Sequence, residues 1–137
     1  MGQGTELGRV RGLGSAKEGA HHWWGQRVTA AANLFLMVWF AVSIARLAHF
    51  HGTGTWSYDY DTVKLWLSSA WVAIPLLLLI LSVFWHFRLG LQVVIEDYLH
   101  HESKVAAIFA LNFFVIGAGA IAVFSILKVA FTAGAHV

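Results

Sequence analysis

The chain has 137 residues, of which 58% are hydrophobic and 12% charged, and its mean hydropathy is +0.67. Soluble domains carry about twice that share of charge, so the composition places one small domain in lipid rather than water. The net charge of +2 argues for no nucleic acid, and the absence of cysteine excludes thiolate zinc sites, iron–sulfur ligation and disulfides within the chain.

Residues 1–20, "MGQGTELGRVRGLGSAKEGA", are polar and rich in glycine. They lack the apolar core of a signal peptide and carry acids that transit peptides avoid. They read as a flexible polar arm, and residues 21–137 as a three-helix transmembrane domain. The first apolar run, Val28 to Ala45, is uncharged between Arg27 and Arg46. "HFHGTGTWSYDYDT", with its glycines and aspartates, reads as a loop. The second run, Leu65 to Phe87, is uncharged between Lys64 and Arg88. "EDYLHHESK" reads as the second connection. The third run, Val105 to Leu127, is uncharged between Lys104 and Lys128. Each run reaches the roughly 18–20 residues that cross a bilayer. Backbone groups cannot stay unpaired in lipid, so these runs are helices. The prediction is an all-α membrane protein with spans near 25–48, 65–95 and 105–129.

Basic residues orient it. Arg9, Arg11, Lys17, Arg27, Arg88 and Lys104 fall on one side; Arg46, Lys64 and Lys128 fall on the other. The positive-inside rule then puts the N-terminus in the cytoplasm and the C-terminus in the periplasm. "HHWW" and "TWSY" read as aromatic belts at opposite interfaces. Pro75 reads as a local bend in the second span. In the third span, Gly117 and Gly119 allow close helix approach, and Asn112 can hydrogen-bond a neighbouring helix. Three helices leave much apolar perimeter and few internal polar partners, so a larger membrane assembly is expected.

The chemistry gathers in "WHFRLGLQVVIEDYLHH", Trp85 to His101. A helix turns about 100° per residue, so His86 and Asp97 share a face about 16 Å apart along the axis. Gly90 and Val93 fall between them. A porphyrin lying against such a face needs an imidazole aimed at iron and no bulky side chain one turn away. Gly90 supplies that clearance. Depth agrees, because His86 lies within the inner part of the span and Asp97 and Tyr98 at its cytoplasmic edge. A neutral imidazole in lipid needs a partner. On spacing alone two readings stand, a histidine hydrogen-bonded to a neighbouring helix and an axial ligand of haem iron. The other histidines lie towards the span ends, so if His86 binds haem with two imidazoles, the second comes from another polypeptide.

Arg27 opens the first span on the same side as Asp97. It reads either as a snorkelling interfacial cation or as a bidentate partner of a haem propionate. Arg88 points about 200° away from His86 and either snorkels or pairs with another subunit; it receives no site role. Asp97 and Tyr98 either end the helix in water or form a quinone site. In the second case the phenol donates to a quinone carbonyl and the carboxylate orients it or relays protons.

The pattern H-x3-G-x-Q-x4-D-Y, made by His86, Gly90, Gln92, Asp97 and Tyr98 at the close of the second span, resembles the smaller haem-containing membrane anchor of succinate dehydrogenase (complex II). "HHWWGQRVTA", with His21 six residues before Arg27, is similar to that family's entry segment. The resemblance covers nearly the whole chain, although its sharp motif is Trp85 to Tyr98. It implies an anchor pair holding a flavoprotein with FAD and an iron–sulfur subunit with its clusters. Electrons from succinate then pass to ubiquinone near the membrane surface. His86 would be one axial ligand of haem b, the second coming from the other anchor subunit. Tyr98 would hydrogen-bond the quinone, supported by Asp97. Arg27, and less directly His21, would meet the haem propionates; "HHWW" leaves His21 and His22 ambiguous.

The competing reading within the family is a haem-free structural anchor. A small transporter would show paired charges inside spans or an internal repeat, and a self-contained dihaem cytochrome would show paired histidines at matched depths. The sequence shows neither. Succinate oxidation has no site in this chain, which holds no flavin motif and no cluster ligand set. A bacterial inner membrane is the expected location. His22, His100 and His101 receive no role.

Overall fold

The computed structural model describes residues 18–49 and 59–134; residues 1–17 of the arm read over 1–20, the "TWSY" belt and residues 135–137 lie outside the described residues. Four helices follow one another, α1 (Glu18–His49), α2 (Tyr60–Ser68), α3 (Ala70–Tyr98) and α4 (His101–Gly134), with no strand among the described residues. Three of them, α1, α3 and α4, are long and apolar enough to cross a membrane. At about 1.5 Å per residue, the 29 residues of α3 extend about 43 Å. That exceeds a hydrocarbon core of about 30 Å, so the ends of the long helices reach into the headgroup zones.

The helices start and stop where the hydropathy pattern alone does not place them. Helix α1 begins at Glu18, inside the stretch read as arm. The second apolar run, read as one helix from Leu65, is cut at Ser69. This residue adopts an extended backbone (φ −71°, ψ 125°), closing α2 and opening α3. Its carbonyl accepts the first α3 bonds, from the amides of Val72 and Ala73 at 2.9 Å. Short helix α2 has its own start signal. Asp59, extended and just outside, accepts the Tyr60 amide at 2.9 Å, and Asp61 sits in the first turn, where the helix dipole favours an acid. Trp66 of α2 turns back to α1, donating to the Ser43 hydroxyl at 3.1 Å beside the Phe40 ring.

Between α3 and α4 only Leu99 and His100 remain outside helix, so most of "EDYLHHESK" is helical. So tight a link needs a reversal of the backbone, and His101 makes it with φ of 55°. A side chain with a Cβ is disfavoured there by roughly 1–2 kcal/mol. His101 is exposed, so its imidazole does not offset that cost by packing within the chain. Replacing His101 with Asn is expected to leave thermal stability of the detergent-solubilised protein unchanged or raised. His101→Val, whose β-branch tolerates positive φ worst, is expected to lower it by about 1–2 kcal/mol.

Helix α3 is central, packed against α1 on one side and α4 on another. Pro75 lies within α3, where it has no amide to give to the carbonyl of Trp71, and the helix continues through it. The buried core consists of Ala73, Leu79 and Leu89 of α3 with Leu111, Val115 and Ala133 of α4. None of the described side chains of α1 is buried. Its outer face presents Leu34, Phe35, Met37 and Val38, the uncovered perimeter expected of a subunit that meets lipid or a partner. In α4, a Cβ on Gly119 would touch Phe84 at an ordinary 3.9 Å, whereas one on Gly117 would meet nothing within the chain. The close approach read for this glycine pair is therefore not used between α3 and α4.

The expected Asn112 bond crosses from α4 to α3, and its partner is Arg88. The Arg88 Nε donates to Asn112 Oδ1 at 2.6 Å, and the guanidinium also lies 5.5 Å from the centroid of Trp85. The cation thus has an acceptor and an aromatic neighbour within its own chain. A hydrogen bond to a charged group is worth about 1.5–3 kcal/mol. Asn112→Leu is expected to destabilise the solubilised protein by that amount, read as a lower thermal midpoint, because Arg88 loses an acceptor amid apolar helices.

Candidate functional site

The α1–α3 contact carries the polar side chains. On α1, Gln26, Thr29 and Asn33 recur at intervals of three and four, which aligns them within about 60° on the helix surface. On α3, Ser82, His86 and Gly90 repeat every four residues and form the facing stripe. Two glycines let the backbones approach. A Cβ on Gly25 would stand 3.1 Å from Leu89 Cδ1, and one on Gly90 would stand 3.2 Å from Gln26 Nε2. The space beside Gly90 is therefore taken up by the Gln26 amide of α1.

His86 is half-buried on this stripe, sixteen residues beyond Ala70 and twelve before Tyr98. Those offsets put it about 24 Å and 18 Å from the two ends of α3. Its Nδ1 lies 3.0 Å from the Thr29 hydroxyl oxygen. The same oxygen lies 2.7 Å from the Gly25 carbonyl and 3.2 Å from that of Gln26. Two amide oxygens on this seam, Gln26 Oε1 and Asn33 Oδ1, are buried with no hydrogen-bond partner among the described residues.

One turn beyond His86 towards the Tyr98 end, α1 and α3 diverge around an open cavity of about 740 Å³. Its α1 wall is Gly19, His22, Trp23, Gln26 and Arg27; its α3 wall is Leu89, Gln92, Val93 and Glu96. The size falls within the roughly 300–1,000 Å³ of small-molecule sites. The walls combine an apolar floor, including Leu89 at 5% exposure, with a cation, a carboxylate and two amides. Arg27 stacks on Trp23, its guanidinium carbon 4.0 Å from the ring centroid. Gln92 donates to Glu96 at 2.9 Å along α3.

The residues singled out in the sequence are thus distributed in depth. His86 stands in the seam, Arg27 in the cavity wall, and Asp97 and Tyr98 at the exposed end of α3, with Tyr98 79% exposed. His21 is exposed and outside the cavity, whereas His22 is part of its wall. The structure does not bring Asp97 or Tyr98 into the cavity with Arg27. Gln26, Thr29, Gln92 and Glu96 are the site-lining residues that hydropathy passes over. The three-and-four spacing of Gln26, Thr29 and Asn33 is the signal that finds the first two.

The donor set bears on what this seam can hold. Among the described residues no three His, Asp or Glu side chains converge as ligands for a free metal ion. A haem takes four of its ligands from its own ring and asks a protein only for the axial ones. One imidazole held at depth, with an arginine at the mouth for a propionate, fits that demand.

The family model for the succinate dehydrogenase/fumarate reductase transmembrane subunit matches residues 1–127. The chain belongs to this family. It is 33% identical over 114 residues to a succinate dehydrogenase hydrophobic membrane anchor subunit of Rickettsia conorii, covering 82% of this chain and 84% of that one. It is 35% identical over 95 residues to the equivalent subunit of Rickettsia bellii, covering 69% and 70%. A succinate dehydrogenase membrane anchor subunit of Reclinomonas americana is 33% identical over 101 residues, covering 70% and 77%. No solved structure gives a significant match. As a member of the anchor family with three membrane-length helices, the protein is multi-pass, and its uncovered apolar faces are those of a subunit.

Proposed function

We propose that this chain is the smaller membrane anchor of a bacterial succinate dehydrogenase, lying in the inner membrane with its N-terminus in the cytoplasm. With a second anchor subunit it holds the iron–sulfur and flavoprotein subunits at the membrane. Succinate is oxidised at the flavin, outside this chain. The observation that carries the reading is the arrangement along α3, with a half-buried imidazole at depth and an exposed carboxylate and phenol at the cytoplasmic end. Family membership supplies the context.

His86 would hold haem b through a ring nitrogen, and the second anchor subunit would contribute the other histidine. When bound, the haem supplies a one-electron redox centre within the bilayer. Arg27 faces a propionate, held in place by Trp23 beneath its guanidinium, a stacking worth about 0.5–1 kcal/mol. His22 shares its cavity, so the propionate role read for His21 passes to His22. Gly90 allows the close α1–α3 crossing that fixes the imidazole's position, more than it clears space for a ring. At the helix end, Tyr98 donates from its phenol to a ubiquinone carbonyl, and Asp97 orients it or relays to the quinone the protons that its reduction takes up. Both side chains are exposed, as groups are that must meet a lipid-soluble substrate, water and a partner subunit together.

The Thr29 contact favours one alternative, a haem-free anchor in which His86 simply pins α1 to α3. A reduced-minus-oxidised spectrum of the purified complex separates the two. A b-type band is expected; its absence would establish the structural anchor instead.

A further inference from the structure

The hydroxyl of Thr29 has one proton to give and two lone pairs to offer. It sits 2.7 Å from the Gly25 carbonyl oxygen. Two oxygens that close repel unless a proton lies between them, and a carbonyl has none. The Thr29 hydroxyl therefore donates back along α1, in the i to i−4 pattern common for threonine in helices. Its donor is then spent. At 3.0 Å from His86 Nδ1, the oxygen can only accept, so the proton of this bond belongs to Nδ1. A neutral imidazole carries one ring proton. With it on Nδ1, the Nε2 lone pair is left for another partner, and no hydrogen bond occupies Nε2 among the described residues.

We infer that Thr29 is a positioning residue for the haem ligand: it fixes the Nδ1–H tautomer of His86, sets the plane of its ring and relays the load to the Gly25 carbonyl. The inference rests on the haem reading above and adds to it a residue from a different helix. Outer partners of metal-bound histidines act in two ways. They hold the ring, and by accepting the Nδ1 proton they make the bound nitrogen a stronger donor. A stronger donor stabilises ferric iron over ferrous. The chain Nδ1–H to Oγ1 to carbonyl is local and part-buried, and Ser82 adds a further contact across the seam, its hydroxyl 3.5 Å from the Thr29 carbonyl. The position also shows why a threonine suits a span that otherwise reads as apolar: its hydroxyl meets two partners at once and leaves nothing unpaired in lipid.

The test uses the intact complex purified through a tag on this chain. Thr29→Val keeps the shape and removes the acceptor; Thr29→Ser restores it. In Thr29→Val the haem is expected to remain bound, with its midpoint potential shifted upward and the largest g value of its ferric electron paramagnetic resonance signal displaced. Thr29→Ser is expected to return both towards wild type. A packing role alone would move neither in the serine-reversible way. Should Thr29→Val fail to assemble, Thr29→Ala carries the same comparison. Wild-type potential and g values in a hydroxyl-free variant, or a Thr29→Ser variant that behaves as Thr29→Val does, would overturn the inference and leave the haem reading standing. Absence of haem from the wild-type complex itself would remove the haem reading, and the inference with it.

Discussion

In a complex carrying His86→Ala, the b-type absorbance should be lost or reshaped while succinate oxidation, measured with a soluble dye, continues. The separation follows from where the parts sit. The imidazole is held in the α1–α3 seam by Thr29 at 3.0 Å, whereas on the proposed reading succinate is oxidised in another subunit. On the proposed reading, removing it would take one of the haem's protein ligands, and it also removes one tie between α1 and α3. The loss of that tie is small beside the α1–α3 contact that Gly25, Leu89 and Gly90 retain, so assembly is expected to survive. His86→Gln keeps a hydrogen-bonding group for Thr29 without an imidazole nitrogen. If it loses the b-type band as His86→Ala does, the lost band is a matter of ligation rather than packing. An unchanged haem content and spectrum in both variants would exclude His86 as the ligand.

For Tyr98→Phe the expected result is the reverse. Haem content and assembly stay normal, and ubiquinone reductase activity falls by about tenfold or more, the consequence of losing one hydrogen bond to a group that gains charge as it reacts. The ring remains, so shape is kept; only the phenol is gone. At 79% exposure Tyr98 packs against little within its own chain, which makes a folding explanation for lost activity weak. Steady-state rates with a short-chain ubiquinone, set beside dye-linked succinate oxidation, report the difference. Wild-type quinone kinetics would take Tyr98 out of the site.

The three membrane-length helices were legible because hydropathy measures the transfer of side chains from water to lipid, and runs such as Val105 to Leu127 satisfy it without interruption. The ordering of His86, Asp97 and Tyr98 along one helix was equally legible from 3.6-residue geometry. The break at Ser69 was not, since a single extended residue hardly changes a hydropathy average. The serine pair in "LSSAW" was the cue, because serine is a favoured helix start. The two-residue link before His101 escaped for a related reason: turn glycines mark a positive φ, and here a histidine adopts it.

Partners across helices are set by register, which a single sequence does not encode in any local pattern. Arg88 finds Asn112 twenty-four residues on, and His86 finds Thr29 fifty-seven residues back. Gly90 illustrates the same point. Its missing side chain marks a close approach, but only the structure shows that Gln26 makes it. The polar stripe on α1 was present in the residue spacing, yet it was concealed by the apolar average of the run around it.

Purification through a tag on this chain from mild detergent tests directly whether it is the haem-bearing anchor of a four-subunit enzyme. Three further polypeptides should accompany it, bringing flavin, iron–sulfur signals and a haem b in equal proportion to the tagged subunit. Recovery of the chain without flavin and iron–sulfur partners, or with them and no haem, would contradict that reading.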